Sequence, residues 1–480
     1  MKRRALLAAS GAAMLGFAPL KGFAEADVAA EAAAGGVFDV LVAGSGMAGL
    51  AAAVSAHEAG ARRIAVLEKG PLAGGHTAFS SGSFAVFSPR MQKEQNIEDS
   101  VDLWVRDSRA IGGEINEAVL RTIAQESEAC RDWLSAMGVR FSSVLFEALG
   151  GLRPRCVAPR SGMGGKHYVR VMLAHARGLG IPVALSSEVV AIEFVASMRL
   201  WRVTVESEQG AYALYTRSLV LATGGFSANT AMRLLYDARF AADMATTANP
   251  EGTLWDGATG DGIRMAERAG AGILGMPNIV YLPYWGGRAL DYVGAEIFIN
   301  LEGRRFVNEA MNVTAIADAM MREPEQEMWV ITDSRSVKGA NFGSKFAAGR
   351  LRMSESIEEM ARDMQIPASV LRETLERYNR FARQKSDPDF GKTLFTQTID
   401  TPPYYWGREK LYVHCTLGGI AVDSRSRVLD ASGKPIEGLY AAGETTGGIF
   451  GRDRLGGMSI AGAAVTGRIA GFEAARGRRA

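Results

Sequence analysis

The stretch VLVAGSGMAG, Val40 to Gly49, decides how the whole chain reads. It is preceded by Val37–Asp39, and Phe38–Ala43 is a short apolar run suited to a strand buried on both faces. Gly44, Gly46 and Gly49 then follow as G-x-G-x-x-G, and Gly49–Ala61 has the alanine-rich spacing of a helix. Ile64–Leu67 reads as the next strand, and Glu68 ends it about 20 residues past the last glycine. The first glycine permits the tight turn. The second lets backbone N–H groups reach a pyrophosphate at the helix N-terminus, and the third lets helix and strand pack closely. Glu68 would accept hydrogen bonds from ribose hydroxyls. Strand, helix, second strand and acid in this order predict a dinucleotide site in an α/β, Rossmann-like domain.

Working outward, the 480 residues suffice for roughly two or three domains. Lys and Arg total 54 against 52 Asp and Glu, which excludes a strongly basic nucleic-acid binder. Three cysteines, Cys130, Cys156 and Cys415, cannot build a disulfide framework. None sits in C-x-x-C-H, no iron–sulfur spacing is evident, and no metal ligand set is expected. Met1–Ala26 reads as a targeting segment: a basic Lys2-Arg3-Arg4, a moderately apolar Ala5–Leu20, and small residues at Ala24 and Ala26. Arg3-Arg4-Ala-Leu-Leu resembles a twin-arginine export signal, which places the mature protein in the periplasm. No other stretch approaches the ~18 apolar residues of a membrane span.

Further along, Glu98–Met137 and Tyr168–Leu179 read as helices, and Val183–Leu185, Val189–Phe194, Trp201–Val205 and Leu219–Ala222 as strands. Gly262–Ala271 is helical, Ile279–Phe306 irregular and aromatic-rich, and Met328–Ile331 a strand. Ser354–Lys385 reads as one amphipathic helix with a solvated face, and Ser459–Ala475 closes the chain as a helix. A nucleotide-type start, an inserted middle and a return at the C-terminus predict one discontinuous domain. Its parts are residues 37–245 and 366–480, with an α+β capping domain at 246–365.

The G-x-G-x-x-G fingerprint serves NAD and FAD alike; three further strings favour FAD. Ala222-Thr223-Gly224-Gly225 follows a strand, Gly438–Glu444 ends in Gly443-Glu444, and Arg454–Ala463 sets Gly456-Gly457 just before a helix. That helix N-terminus would stabilise charge on a reduced flavin.

These strings, with GSGMAGLAAA, LEKGPLAGGHT, GATGDGIRMA, INLEGRRFVNE and LGGI, are spread from Val37 to about Gly471. In them the chain resembles the flavoprotein subunits of the fumarate reductase/succinate dehydrogenase family, nearest to the soluble flavocytochrome-c-type fumarate and urocanate reductases. The resemblance implies a FAD-binding domain split by a cap, with the active site between them. The expected FAD contacts are then Gly44, Gly46, Met47, Ala48 and Gly49; Glu68 and Lys69; Gly75, His76, Thr77, Ser81 and Gly82. From the later strings come Ala222, Thr223, Gly224, Gly225, Gly443, Glu444, Arg454, Gly457, Ser459 and Ile460. Arg454 matches the family arginine that clamps a substrate carboxylate, for which a planar guanidinium is suited.

The family's remaining acid chemistry is missing. The proton-donating arginine four residues beyond the NE of RFVNE is here Val313, and the histidine before a proline is Leu282. The relay Glu and Arg fall near Ala289 and Tyr292, and the substrate-binding HT is Cys415-Thr416, with His414 one residue early. Valine cannot pass a proton, so fumarate is not the expected substrate. Tyr281, Tyr284, Trp285 and Tyr292 crowd one segment around Arg288, and Tyr292, Arg288 and His414 are the candidate proton donors. In membrane-bound members a histidine in an HT string is joined covalently to the flavin; here His76-Thr77 stands there, so a histidyl bond at His76 is one form of attachment the resemblance suggests.

The reading is therefore an exported FAD oxidoreductase that reduces an activated C=C bond of an unsaturated acid or enone by hydride from flavin N5. Its electrons would come from an external donor such as a periplasmic cytochrome c, in anaerobic respiration. The alternatives are a desaturase resembling 3-oxosteroid dehydrogenases, a fumarate reductase with Arg288 moved into a rearranged site, and a flavin-binding electron carrier without a substrate.

Overall fold

The computed structural model describes residues 35–237 and 244–477; the targeting segment Met1–Ala26 lies outside them. Val40, Leu41 and Val42 have no exposed surface, as a parallel strand covered on both faces requires. The strand Val37–Ala43 runs parallel to Ile64–Leu67 on one side and Gly210–Leu221 on the other. Val183–Ala184 and Pro435–Ala441 extend the parallel sheet outward. Arg427–Leu429 closes one edge, and Ser187–Val195 and Leu200–Ser207 continue antiparallel from Gly210–Leu221. The C-terminal return is thus a covering layer as well as a strand. Helix Met458–Arg476 lies on helix Met47–Glu58 so closely that a Cβ at Gly471 would overlap the Ala52 carbonyl.

A second, antiparallel sheet orders Ile279–Pro283, Tyr404–Thr416, Glu327–Thr332 and Ile297–Ile299, with Leu351–Ser354 also on Tyr404–Thr416. Two of its strands fall in the segment expected to be irregular. Val280, Tyr281 and Phe298 are buried, so its aromatic and β-branched content builds sheet rather than loop.

The expected boundary at 365/366 does not survive. Residues 366–416 belong to this second layer: Leu371, Leu375, Tyr378 and Phe381 pack with Ile297, Ile331 and Trp406 into its own core. The charged surface read as a solvated face is the outer side of helices whose inner side is this core. The single helix Ser354–Lys385 is also two, Ile357–Met364 and Ala368–Gln384. Gln365 breaks it with φ +60° and Pro367 starts the next. The chain rejoins the first sheet only after Thr416, at Arg427.

Candidate active site

One elongated cavity runs between the two layers, and both sets of sequence motifs open on it. All the expected FAD contacts line it except Gly49 and Gly225. These two lie behind the wall: a Cβ at Gly49 would overlap the Gly44 carbonyl, and one at Gly225 would meet the Glu444 carboxylate at 2.5 Å.

At the nucleotide end, Gly44 turns the chain with φ +104°. Glu68 is buried at the end of its strand, where Oε2 accepts from the Ser45 N–H at 3.0 Å and Oε1 from the Gly70 N–H at 2.8 Å. Ser45 Oγ also donates to Oε2 at 2.5 Å, so it is Oε1 that keeps a lone pair for a ribose hydroxyl. Ser45 also accepts from the Gly74 N–H at 3.1 Å, and Thr77 accepts from the Met47 N–H at 3.1 Å. Those bonds tie the turn Gly75–Phe79 to the first turn of helix Met47–Glu58. The N-terminus of helix Met458–Arg476 faces the same cavity, with Gly457, Ser459 and Ile460 on its wall. Two positive helix ends on one cavity suit an anionic ligand. Gly224, at φ +78°, leaves open space where a Cβ would stand. Lys69 Nζ is engaged by Thr259 at 2.6 Å and Asp261 at 3.1 Å.

His76 faces the cavity with Nε2 at 2.8 Å from Asp256 and Nδ1 at 3.9 Å from Glu444. Burial opposes its charge, but the Asp256 hydrogen bond and the two carboxylates outweigh it and raise its pKa to about 9. The Asp256 pairing favours the protonated ring at neutral pH. Asp256 in turn accepts from Thr246 at 2.5 Å, and against its own burial the His76 partner holds it near 2.

At the other end stands Arg454, buried to 8% exposure. Its Nη2 donates to His414 Nε2 at 2.7 Å, and His414 Nδ1 lies 3.0 Å from Thr247 Oγ1. Guanidinium only donates, so Nε2 is the acceptor and the one imidazole proton sits on Nδ1, toward Thr247. Burial and the Arg454 charge hold His414 well below the usual histidine range. His414 is a neutral support for the guanidinium rather than a proton donor. Arg454 Nε has no partner although it is buried, as for a group awaiting a ligand oxygen. Leu149, Leu282, Val313, Cys415, Leu417 and Phe450 pack together as the apolar wall of this end.

The other two proton-donor candidates separate. Arg288 lines the cavity, but Nε and Nη2 are bound to the buried Glu296 and Nη2 also donates to the Tyr292 carbonyl at 3.0 Å. Tyr292 is not on the wall; its hydroxyl accepts from the Val337 N–H at 3.2 Å. Of the crowded aromatics only Tyr284 reaches the cavity. Thr247 and Trp255, which do reach it, carry no motif; both sit in a loop that only the folded chain brings there. Among the described residues no cluster of His, Cys, Asp or Glu could hold a metal ion, and no helix is long and apolar enough to cross a membrane.

A Rossmann-type turn, an acid for ribose, two helix N-termini on one cavity and a buried guanidinium at its far end together define an FAD-dependent oxidoreductase. The chain belongs to the FAD binding domain family, whose model matches residues 39–460. A probable fumarate reductase of Shewanella frigidimarina is 31% identical over 449 residues, 91% of this chain and 74% of that protein. The acrylate reductase flavoprotein subunit of Shewanella woodyi is 31% identical over 88% of each chain. A flavocytochrome c3 fumarate reductase in its open conformation has TM-score 0.69 at 29% identity, over 95% of this chain and 81% of that one. FAD is the cofactor of this family, and the residues present fit it.

Proposed function

We propose that the chain reduces the C=C bond of an α,β-unsaturated monocarboxylate or enone carrying an apolar or aryl group, and that fumarate is a poor substrate. The observation that carries this reading is the Arg454 guanidinium with an unpartnered Nε beside an apolar cluster, while Arg288 and Lys345 on the same cavity are engaged by Glu296 and by the Arg288 carbonyl. Arg454 would bind one carboxylate or carbonyl oxygen and polarise it. A second carboxylate beside Arg454 would stand against Val313, Leu282 and Phe450, an apolar surface that costs it its hydration. FAD, when bound, supplies hydride to the β-carbon. Arg288 is assigned the proton for the α-carbon, because it combines a place on the wall with an acid behind it, Glu296. The same bond to Glu296 works against Arg288 swinging in to serve as a second carboxylate clamp. The desaturase stands as the second reading: Tyr292 is turned away from the cavity, but Tyr284 is on the wall, and a 3-ketosteroid-Δ4-(5α)-dehydrogenase of Rhodococcus jostii is similar at 26% identity and TM-score 0.69. The acrylate reductase relative supports a substrate with one carboxylate. Electrons would come from a separate donor, a periplasmic cytochrome c in the export reading, which rests on Arg3-Arg4 and the apolar run after them.

The test is anaerobic oxidation of reduced viologen by the purified holoenzyme with cinnamate, acrylate, urocanate, a cyclic enone and fumarate. Cinnamate-type acids or enones should exceed fumarate in kcat/KM by about tenfold or more. Fumarate at or above the best of them would overturn the proposal.

A further inference from the structure

Trp255 stands on the cavity wall with nearly half of its surface open, 46% exposed. One edge of its indole rests on backbone. A Cβ at Gly70 would lie 2.6 Å from Cζ3 and 2.7 Å from Cη2, and one at Gly257 would overlap the same edge. The Gly70 Cβ would also stand 3.1 Å from Glu68 Oε1, so indole and carboxylate share one corner of the cavity. The indole is also held from its own loop. Asn249 Nδ2 donates to the Leu254 carbonyl at 2.6 Å, and the Leu254 N–H donates back to Asn249 Oδ1 at 2.8 Å. The next residue, Asp256, is clamped by His76 and Thr246. An open aromatic face fixed from both sides is a platform rather than a loose surface side chain.

The chemistry of its occupant follows from Glu68. A carboxylate at the end of the second strand takes the ribose of a dinucleotide, which sets the purine next to it. Purine rings bind flat aromatic faces by stacking, with little demand for hydrogen bonds. We propose that Trp255 is the adenosine-binding wall of the FAD site and sets the preference for FAD over flavins that lack adenosine. This rests on FAD being the family's cofactor.

The experiment dilutes purified holoenzyme and reads released FAD by its fluorescence, with circular dichroism as the check on folding. Trp255→Ala should raise the midpoint of release by about tenfold or more, and Trp255→Phe should return it to within a few-fold of wild type. Trp255→Leu, which keeps bulk without a ring, should behave like the alanine variant. Excess FMN should displace FAD from the alanine and leucine variants and leave the wild type loaded. A folded alanine or leucine variant releasing FAD at the wild-type midpoint would overturn the assignment alone. Wild-type protein that never carries flavin would overturn the cofactor reading with it.

Discussion

Arg454 and His414 are joined by a 2.7 Å hydrogen bond in which the imidazole is the acceptor. The guanidinium is thereby fixed in plane by a neutral partner and loses none of its charge to a carboxylate. Arg454 has its own backbone N–H on Asp453 Oδ1 at 2.7 Å, and Asp453 also accepts from the Thr314 N–H at 3.0 Å. Arg454→Lys keeps the charge and loses the planar fork. It should lower kcat/KM about 100-fold, while the flavin spectrum is retained. Steady-state kinetics on the best unsaturated acid check this.

His414→Ala should raise KM more than it lowers kcat, because the imidazole orients Arg454 and does not transfer the proton. Its depressed pKa also has a pH consequence. A histidine buried neutral costs stability as pH falls below about 6.5, where the unfolded chain takes up the proton and the folded one resists it. Thermal melts of the wild type between pH 7.5 and 5.5 should therefore show more loss than those of His414→Ala.

His76 behaves oppositely. Its folded pKa of about 9 lies above the unfolded value, so the pair with Asp256 contributes fully below about pH 6.5 and fades as pH rises through about 9. FAD release monitored by fluorescence should become easier across that window, and His76→Gln should flatten the dependence. With His76 Nε2 engaged by Asp256, the flavin should come away on denaturation. A flavin-fluorescent band on a denaturing gel would contradict this.

Arg288→Gln should stop turnover while leaving FAD bound. It should also destabilise the protein by about 3–5 kcal/mol, because Glu296 is wholly buried behind it. Glu296→Gln should remove the proton reservoir and slow turnover with hydride transfer otherwise intact. A solvent isotope effect on kcat that grows in Glu296→Gln would place the proton step there.

Val313→Ala widens the apolar wall beside Arg454. The kcat/KM for a cinnamate-type acid should fall about tenfold, the worth of a lost methyl contact or two, and that for acrylate should change less.

The nucleotide half was legible because its logic is local: Gly44, Gly46 and Glu68 act within one strand–helix–strand unit, each through backbone geometry. Arg454 was legible through the string around it. The roles of the cap residues were not. Arg288 and Glu296 are eight positions apart, on no common helix face, and only the fold turns one onto the other. Tyr292 was read as facing substrate because aromatic residues clustered there, whereas its hydroxyl is used by the backbone of Val337. Trp255 and Asp256 sit in a loop whose sequence has no periodicity, and their position depends on Gly70 and His76 in distant segments. The domain boundary was missed because amphipathic helices look the same whichever layer their apolar side faces.

Strand Tyr404–Thr416 belongs to the second sheet, yet it delivers His414 to a guanidinium held by the first domain's chain. The same strand end is also tied to the first layer, where the Thr416 N–H donates to Glu444 at 3.1 Å and Thr416 Oγ1 accepts from the Phe226 N–H at 3.2 Å. One continuous strand thus serves as a member of the second sheet and as the prop of the buried guanidinium, so a substitution that shifts its register would be felt in both layers at once.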